Sequence, residues 1–300
     1  RRQRQMCIRD SCCVMLTSFF ENNKEEGNVI HLLTEGITED NKKTIEKLIH
    51  AYKGRFCYYL VNSEIVASFP IKEGDHLTIA TYYRLLMADI LPQSIDKILY
   101  LDCDIIINDS IAELWNTSLD GYAMAAIEEL GCSLPDVYKR LGYDEKYGYF
   151  NAGVLLINLQ YWREHNLTRE FLLYIAEHYE KLKAHDQDVL NALLHEKCLH
   201  VSYKWNVEEA FYHYSVMKRL KHNRELRFVL RHPTILHYTW KPKPWDLSCK
   251  HPFRINYYIY LQRFGGSSLN FKRKFTALFD KYVFCFFLWI NLKGHRYYKL

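Results

Sequence analysis

The sequence has no apolar run long enough to cross a membrane. A membrane-spanning helix requires about 18 to 20 consecutive apolar residues, and the longest such stretch, Tyr282 to Leu292, is shorter and is interrupted by Asn291. No signal-peptide pattern is visible at the start of the sequence either. These absences predict a cytoplasmic location, with any contact to the cytoplasmic membrane made from its surface.

The cysteines show no regular spacing. There are nine of them, and two, Cys12 and Cys13, are adjacent. Disulfide frameworks and zinc sites need cysteines at defined intervals, so neither is predicted, and reduced thiols in a cytosolic protein are the simpler interpretation. The net charge is only +5 and no recognition motif accompanies the basic residues, so nucleic acid is not an expected partner.

Length and composition allow one large domain with additions at its ends. The chain has 300 residues, 49% of them hydrophobic, which is ample for a sizeable core. Residues Arg1 to Ser11 begin without Met and have no structural period, so we interpret 1–11 as an atypical or truncated start. The character changes again after Cys249. The predicted organisation is therefore a main domain over 12–248, followed by a basic and aromatic region over 249–300.

Basic residues alternate with Phe, Trp and Tyr through most of the stretch from Phe271 to Leu300. This pattern is typical of a segment that lies on a membrane surface, with aromatic rings at the interface and cations near anionic lipids. A C-terminal helix that packs its aromatic residues on the main domain explains the pattern equally well.

Strand and helix patterns alternate in the first part of the chain. Apolar runs of strand length occupy Asn28 to Thr34 and Phe56 to Val61, and the amphipathic pattern between them predicts a helix over Thr38 to Tyr52 that stops at Gly54. A strand–helix–strand unit of this length is typical of a parallel sheet. Two further helices are predicted, Cys13 to Asn23 and Leu77 to Leu91.

The strongest signal is the stretch Ile98 to Ile107, a predicted central strand in which Asp102 and Asp104 interrupt an apolar pattern. Side chains two residues apart on a strand project from one face, about 7 Å apart along the chain. If the chain bends there, both carboxylates can converge on one hard divalent cation, Mg²⁺ or Mn²⁺, which could bridge to substrate phosphates. An isolated Asp-x-Asp more often ends a strand in solvent, but the apolar flanks place this pair in a buried element.

Several other short stretches have side chains suited to a binding site. They are Arg84, Phe150-Asn151-Ala152-Gly153, Asp186-Gln187-Asp188, His237 and Lys243-Pro244-Trp245. Each has a simpler interpretation when it is taken alone: Arg84 as a solvated helix charge, the two acids as helix caps, and His237 as a structural residue. The small residues at 152 and 153 allow a backbone or a ligand to approach closely.

In this order, the stretches resemble the family 8 retaining glycosyltransferases, which include bacterial lipopolysaccharide galactosyl- and glucosyltransferases and, more distantly, glycogenin. The resemblance covers Cys13 to Trp245, and its most specific strings lie at 98–110, 149–158 and 185–192. It implies an α/β GT-A fold, with a Rossmann-like, mixed or mostly parallel sheet flanked by helices. It also implies UDP-galactose or UDP-glucose as the donor and an oligosaccharide or lipid-linked glycan as the acceptor.

The resemblance further implies roles for single residues. Three match the ligands that hold Mn²⁺, with Mg²⁺ as the alternative ion, against the diphosphate: Asp102, Asp104 and His237. Five match positions that bind the nucleotide sugar: Arg84, Asn151, Ala152, Gly153 and Lys243. Three are candidates for catalysis beside the transferred sugar or near the acceptor: Gln187, Asp186 and Glu128.

The chemistry of the reaction agrees with these roles. Negative charge accumulates on the leaving nucleoside diphosphate as the glycosidic bond breaks, and a metal ion together with Lys243 would neutralise it where it develops. Retention is compatible with front-face attack, in which Gln187 stabilises an ion-pair-like state. It is also compatible with a double displacement through Asp186 or Glu128.

Two departures from the family pattern keep other functions open. Trp240 stands where the family motif has glycine, and residues 1–11 replace a first strand that ends, in relatives, in an Asp-rich turn at the nucleotide. One alternative is therefore a catalytically impaired homologue that binds nucleotides or glycans. The other is a nucleotidyltransferase with the same Asp-x-Asp chemistry, which would release pyrophosphate instead of UDP.

Overall fold

The first described element is a long helix. The computed structural model describes residues 2–62, 79–130, 134–219, 223–246 and 248–265, together with residue 283. Helix α1 spans Arg2–Asn22, so the helix predicted over Cys13 to Asn23 extends back through the segment interpreted as atypical. Its last residue is tied to the core, because Nδ2 of Asn22 donates to the carbonyl oxygen of Ile107 over 2.9 Å.

The predicted strand–helix–strand unit is confirmed. Strand β1 spans Val29–Thr34, helix α2 Glu39–Ala51 and strand β2 Arg55–Leu60, and the two strands pair in parallel. The hydroxyl of Thr38 caps α2 by accepting from the backbone N–H of Asn41.

The remaining elements follow in two series. The other helices are α3 Met87–Ile90, α4 Ala112–Trp115, α5 Leu134–Leu141, α6 Leu159–Glu164, α7 Leu167–His178, α8 His185–Leu194, α9 Tyr214–Arg219, α10 Arg224–Arg231 and α11 Arg254–Phe264. The other strands are β3 Lys97–Leu101, β4 Ile105–Ile107, β5 Met124–Glu128, β6 Phe150–Asn158, β7 Cys198–His200, β8 Val207–Glu208 and β9 Ile235–His237.

The described strands form three sheets of mixed direction. Their orders are β1–β2, β3–β6–β5–β7 and β4–β9–β8. The pairs β1–β2, β5–β7 and β8–β9 are parallel, whereas β3–β6, β5–β6 and β4–β9 are antiparallel. The sheet was predicted to be mixed or mostly parallel, and the described strands show that it is mixed.

The predicted central strand over Ile98 to Ile107 is in fact two strands in different sheets. Among the described strands, β3 lies at the edge of the four-stranded sheet, and β4 pairs with β9 in the three-stranded one. The chain crosses from one sheet to the other over Asp102, Cys103 and Asp104. The backbone N–H of Asp102 donates to the carbonyl oxygen of Gly153 at 2.9 Å, which holds the crossing against β6.

The helix predicted over Leu77 to Leu91 is a 3₁₀-helix over Ile79–Leu86 that continues as α3; residues 77 and 78 lie outside the described ranges. The interpretation of Arg84 as a solvated charge is wrong, because only 6% of its surface is exposed. The 3₁₀-helix turns this side chain inward, toward the carboxyl end of β3.

Helices cover both faces of the β6 strand. Leu155 and Ile157 pack in one cluster with Trp162 of α6 and Phe171 of α7. The alternate residues, such as Val154, pack in a second cluster with α1 and α2. This alternation of apolar side chains between two helical layers is typical of an α/β fold.

Helix α11 packs against the main body of the chain. Tyr257, Tyr258 and Tyr260 are buried in one cluster with Val14 of α1. The basic and aromatic stretch predicted to lie on a membrane falls outside the described residues, apart from residue 283. In the part of the chain that the structure describes, no helix has the length and apolar character needed to span a bilayer.

Candidate functional site

Two acids and a histidine meet where three strands end or begin. Asp102 and Asp104 follow β3, and His237 is the last residue of β9, opposite Ile105 in the β4–β9 pair. Nε2 of His237 lies 3.2 Å from Oδ1 of Asp104 and 3.7 Å from Oδ2 of Asp102. Among the described residues, these three form a group whose ligand atoms all lie within 4.8 Å of one another.

The space between these ligands depends on a glycine. A Cβ added at Gly153 would lie 2.1 Å from Cε1 of His237 and 2.9 Å from Oδ2 of Asp102, so any other residue would displace both side chains. Two carboxylates and one imidazole nitrogen form a donor set suited to a divalent ion such as Mn²⁺. Asp102, Asp104 and His237 therefore fit the metal that the family resemblance implies.

Lys243 lies at the edge of the same group. Its ammonium is 2.6 Å from Oδ2 of Asp104 and donates to the carbonyl oxygens of Tyr238 and Thr239. Burial opposes ionisation of Asp104, but the ammonium of Lys243 holds the pKa of that carboxyl well below its ordinary value. Trp240 belongs to the same turn and is 57% exposed, so the large side chain does not prevent Lys243 from reaching Asp104.

Arg84 connects the first aspartate to the start of α8. Its Nη2 is 3.0 Å from Oδ1 of Asp102, and its Nε is 2.8 Å from Oδ2 of Asp186. The guanidinium also lies 4.3 Å from the ring centroid of Tyr100 and donates to the carbonyl oxygen of Ala152. Burial raises the pKa of Asp186 to about 7, against the opposing effect of Arg84.

The acids of the Asp186-Gln187-Asp188 triplet divide between two roles. Asp188 ties down the segment that leads into α8, because its carboxylate accepts from the backbone N–H groups of Lys183 and Ala184 at 2.7 and 2.8 Å, and it also pairs with Arg140. The capping interpretation is wrong for Asp186, which faces Arg84 instead.

Gln187 is fixed by backbone and side-chain hydrogen bonds. Its Oε1 accepts from the backbone N–H of Ala152 at 3.0 Å and from Nδ2 of Asn151 at 3.2 Å. Its Nε2 donates to Oε2 of Glu129 over 2.6 Å. Asn151, Ala152 and Gln187 thus form one connected group beside Gly153.

Glu128, the third residue predicted to take part in catalysis, lies at the end of β5 and does not contact Gln187. Oε2 of Glu128 accepts from the hydroxyl of Tyr203 at 2.9 Å, whereas the buried acid at the next position, Glu129, contacts Gln187. Glu128 stays a prediction as an acid near the acceptor, and Glu129, to which the sequence analysis gave no role, is the acid that contacts Gln187. Burial raises the pKa of Glu129, although its hydrogen bond to Gln187 acts in the opposite direction.

Two further residues of this region had no recognisable signal in the sequence. Asn206 and Glu208 lie at the start and end of a short segment that contains β8, and both are buried. Glu208 lies 3.4 Å from Nδ2 of Asn151, and Asn206 contacts both Asn151 and His237. They reach the site because β8 pairs in parallel with β9, which places Glu208 beside His237.

Comparisons with known sequences agree with this geometry. The family described as Glycosyl transferase family 8 matches residues 10–249. General stress protein A of Bacillus subtilis is 29% identical over 257 residues, covering 82% of this chain and 87% of the relative. Lipopolysaccharide 1,3-galactosyltransferase of Salmonella typhimurium is 28% identical over 247 residues, covering 78% of this chain and 68% of the relative.

A solved structure shows the same fold. The galactosyltransferase LgtC, crystallised with donor and acceptor sugar analogues, matches with a TM-score of 0.76 and 25% identity, covering 89% of this chain and 96% of that chain. Mouse xyloside xylosyltransferase 1, at 18% identity and a TM-score of 0.56, shares the fold over 77% of this chain. The predicted α/β GT-A fold is confirmed.

Proposed function

The chain belongs to glycosyl transferase family 8, and from this membership we propose that it transfers galactose or glucose from a UDP-sugar to a glycan, with retention of the anomeric configuration. The glycosyltransferase activity follows from the family. The donor, the acceptor and the stereochemistry are parts of the proposal.

The observation that supports the proposal most strongly is the group formed by Asp102, Asp104 and His237, with Lys243 beside it. The ligand atoms of the three residues lie within 4.8 Å of one another, and the ammonium of Lys243 is 2.6 Å from Asp104. A nucleoside diphosphate is a polyanion. The ammonium of Lys243 offers it one positive charge, and the three ligands could hold a divalent cation that offers more. When bound, a divalent ion would supply positive charge to the diphosphate oxygens.

The chain's own residues account for the departure of UDP. Lys243 would shift from Asp104 to a phosphate oxygen and balance the charge that develops there. Arg84, held between Asp102 and Asp186, would keep the carboxylate of the first aspartate oriented. Gly153, which has no Cβ, leaves room for the side chains of His237 and Asp102 beside that diphosphate.

Gln187 is the candidate that fits front-face attack. It is partly exposed, in contrast to Asp186, which is 4% exposed and paired with Arg84. Its amide is locked by Asn151, Ala152 and Glu129, so it would stabilise an oxocarbenium-like state with little reorganisation. A double displacement would require Asp186 to leave Arg84, or Glu128 to leave Tyr203.

The acceptor is proposed from the relatives. Curated relatives from Escherichia coli and Salmonella typhimurium are lipopolysaccharide glucosyl- and galactosyltransferases, so we propose a lipopolysaccharide or another surface polysaccharide as the acceptor. A lipid-linked acceptor would place the enzyme at the inner leaflet. The basic and aromatic residues between Phe271 and Leu300 are the predicted contact with that surface.

The proposal is tested by measuring UDP release from UDP-galactose and UDP-glucose with added Mn²⁺. We expect turnover of one of the two donors, its loss after treatment with EDTA, and its recovery when Mn²⁺ is restored. A folded protein that binds UDP but turns over neither donor would overturn the transferase proposal in favour of the impaired homologue. Release of pyrophosphate instead of UDP would favour the nucleotidyltransferase.

A further inference from the structure

Asn206 is a fully buried amide that lies between Asn151 and His237. It is 0% exposed. On one side its Nδ2 donates to Oδ1 of Asn151 over 2.8 Å, and on the other its Oδ1 lies 2.9 Å from Nδ1 of His237. Asn206 therefore joins a residue of the proposed sugar site to a proposed metal ligand through its own side chain.

Three hydrogen bonds run in series from Gly153 through Asn151 and Asn206 to His237. A backbone group at one end fixes which atom donates in each of them. The N–H of Gly153 can only donate, and it lies 2.9 Å from Oδ1 of Asn151, so that atom must be the oxygen. The atom of Asn206 that faces this oxygen must then be the nitrogen. The amide oxygen of Asn206 consequently faces Nδ1 of His237, which must carry the proton.

We propose that Asn206 is a positioning residue that holds His237 in its Nδ1-protonated tautomer and thereby leaves Nε2 free to ligate a cation in the space that it shares with Asp102 and Asp104. A neutral imidazole has one N–H, so a proton fixed on Nδ1 leaves Nε2 as the ligand atom. The other tautomer would set two lone pairs against each other, on Nδ1 of His237 and on the oxygen of Asn206. The inference rests on the proposed metal role of His237.

The same geometry explains why an amide is needed at this position. A serine or alanine would leave the polar edge of Asn151 or His237 without its partner in a buried region. An aspartate would set a carboxylate oxygen against Oδ1 of Asn151, which already accepts from Gly153. Hydrogen-bond partners of metal-ligating histidines typically contribute a factor of about 10 to 100 in metal affinity.

The test is a titration of Mn²⁺ into the whole protein without nucleotide, followed by electron paramagnetic resonance. Asn206→Ala is expected to weaken Mn²⁺ binding by about 10- to 100-fold. Asn191→Ala is the matched control, because Asn191 is equally buried but bonds to the backbone of Phe150 and Gln187. It should leave the affinity for Mn²⁺ within about 2-fold, since its described hydrogen bonds reach none of Asp102, Asp104 and His237.

A second measurement is independent of metal binding. The ¹⁵N shifts of His237, assigned by comparison with His237→Gln, should show the Nδ1-protonated tautomer in the wild-type protein and a shift toward the Nε2-protonated form in Asn206→Ala. An unchanged Mn²⁺ affinity or an unchanged tautomer in Asn206→Ala would overturn the inference. Failure of the wild-type protein to bind Mn²⁺ would instead count against the proposed function, while the tautomer would still decide the role of Asn206.

Discussion

Replacing Asp104 with asparagine is expected to slow metal-dependent UDP release by about 10³-fold. The substitution keeps the size of the side chain but removes the charge that faces both Lys243 and His237. The ammonium of Lys243 would lose its anionic partner, and a divalent ion would lose one of two carboxylate ligands. The measurement is the initial rate of UDP release at saturating donor.

Asp109→Asn is the control for this substitution. Asp109 is exposed and lies only five positions further along the chain, where its carboxylate accepts from the backbone N–H of Ser110. Asp109→Asn should retain the wild-type rate within about 2-fold, because substitutions of exposed side chains outside a functional site usually have small effects. A folded Asp104→Asn variant that keeps more than a tenth of the wild-type rate would contradict the assignment.

Replacing Arg84 with methionine is expected to lower the free energy of unfolding by about 3–5 kcal/mol. Methionine keeps the length of the side chain but leaves the carboxylate of Asp186 buried without a cation, and it also removes a partner of Asp102. The cost comes from the buried carboxyl group of Asp186, which must either stay charged without a cation or take up a proton, rather than from the lost contact. Urea denaturation followed by circular dichroism measures it.

A double variant separates the charge from the packing. Arg84→Met combined with Asp186→Asn removes the orphaned carboxylate, so it should recover more than half of the lost stability. Arg163→Met is the matched arginine control, since Arg163 donates to backbone carbonyls such as that of Ala88 and has no carboxylate partner among its described contacts. A loss below about 1 kcal/mol in Arg84→Met would show that the ion pairs contribute no more than a surface salt bridge.

Asp102 and Asp104 could be recognised from the sequence as candidate cation ligands, because the pattern that points to them is local. Burying two carboxylates that are separated by a single residue inside an apolar run is unfavourable unless a cation binds between them. What the local pattern could not indicate was that the chain changes sheet at this point. The pairing of β4 with β9 joins residues about 130 positions apart in the sequence, and no periodicity within either strand records it.

The residues that sequence reasoning missed are those whose function depends on a distant partner. Asn206 and Glu208 lie in a stretch without a motif. Glu129 directly follows Glu128, the last residue of β5, yet it contacts Gln187 whereas Glu128 contacts Tyr203. Alternation along a strand predicts that neighbouring acids point in opposite directions. It does not indicate which of the two directions leads to the site.

Gly153 provides the most direct test of the central claim, that Asp102, Asp104 and His237 together bind a divalent cation. The measurement is a Mn²⁺ titration by electron paramagnetic resonance on Gly153→Ala. Gly54→Ala is the matched control, because its Cβ would also crowd buried side chains, at 2.9 Å from Ile49 and Phe20, and neither of these is one of the three ligands. The account predicts at least a 100-fold weaker affinity, by roughly 3 kcal/mol, in Gly153→Ala alone. Equal Mn²⁺ affinity in a folded Gly153→Ala variant and in the wild-type protein would contradict it.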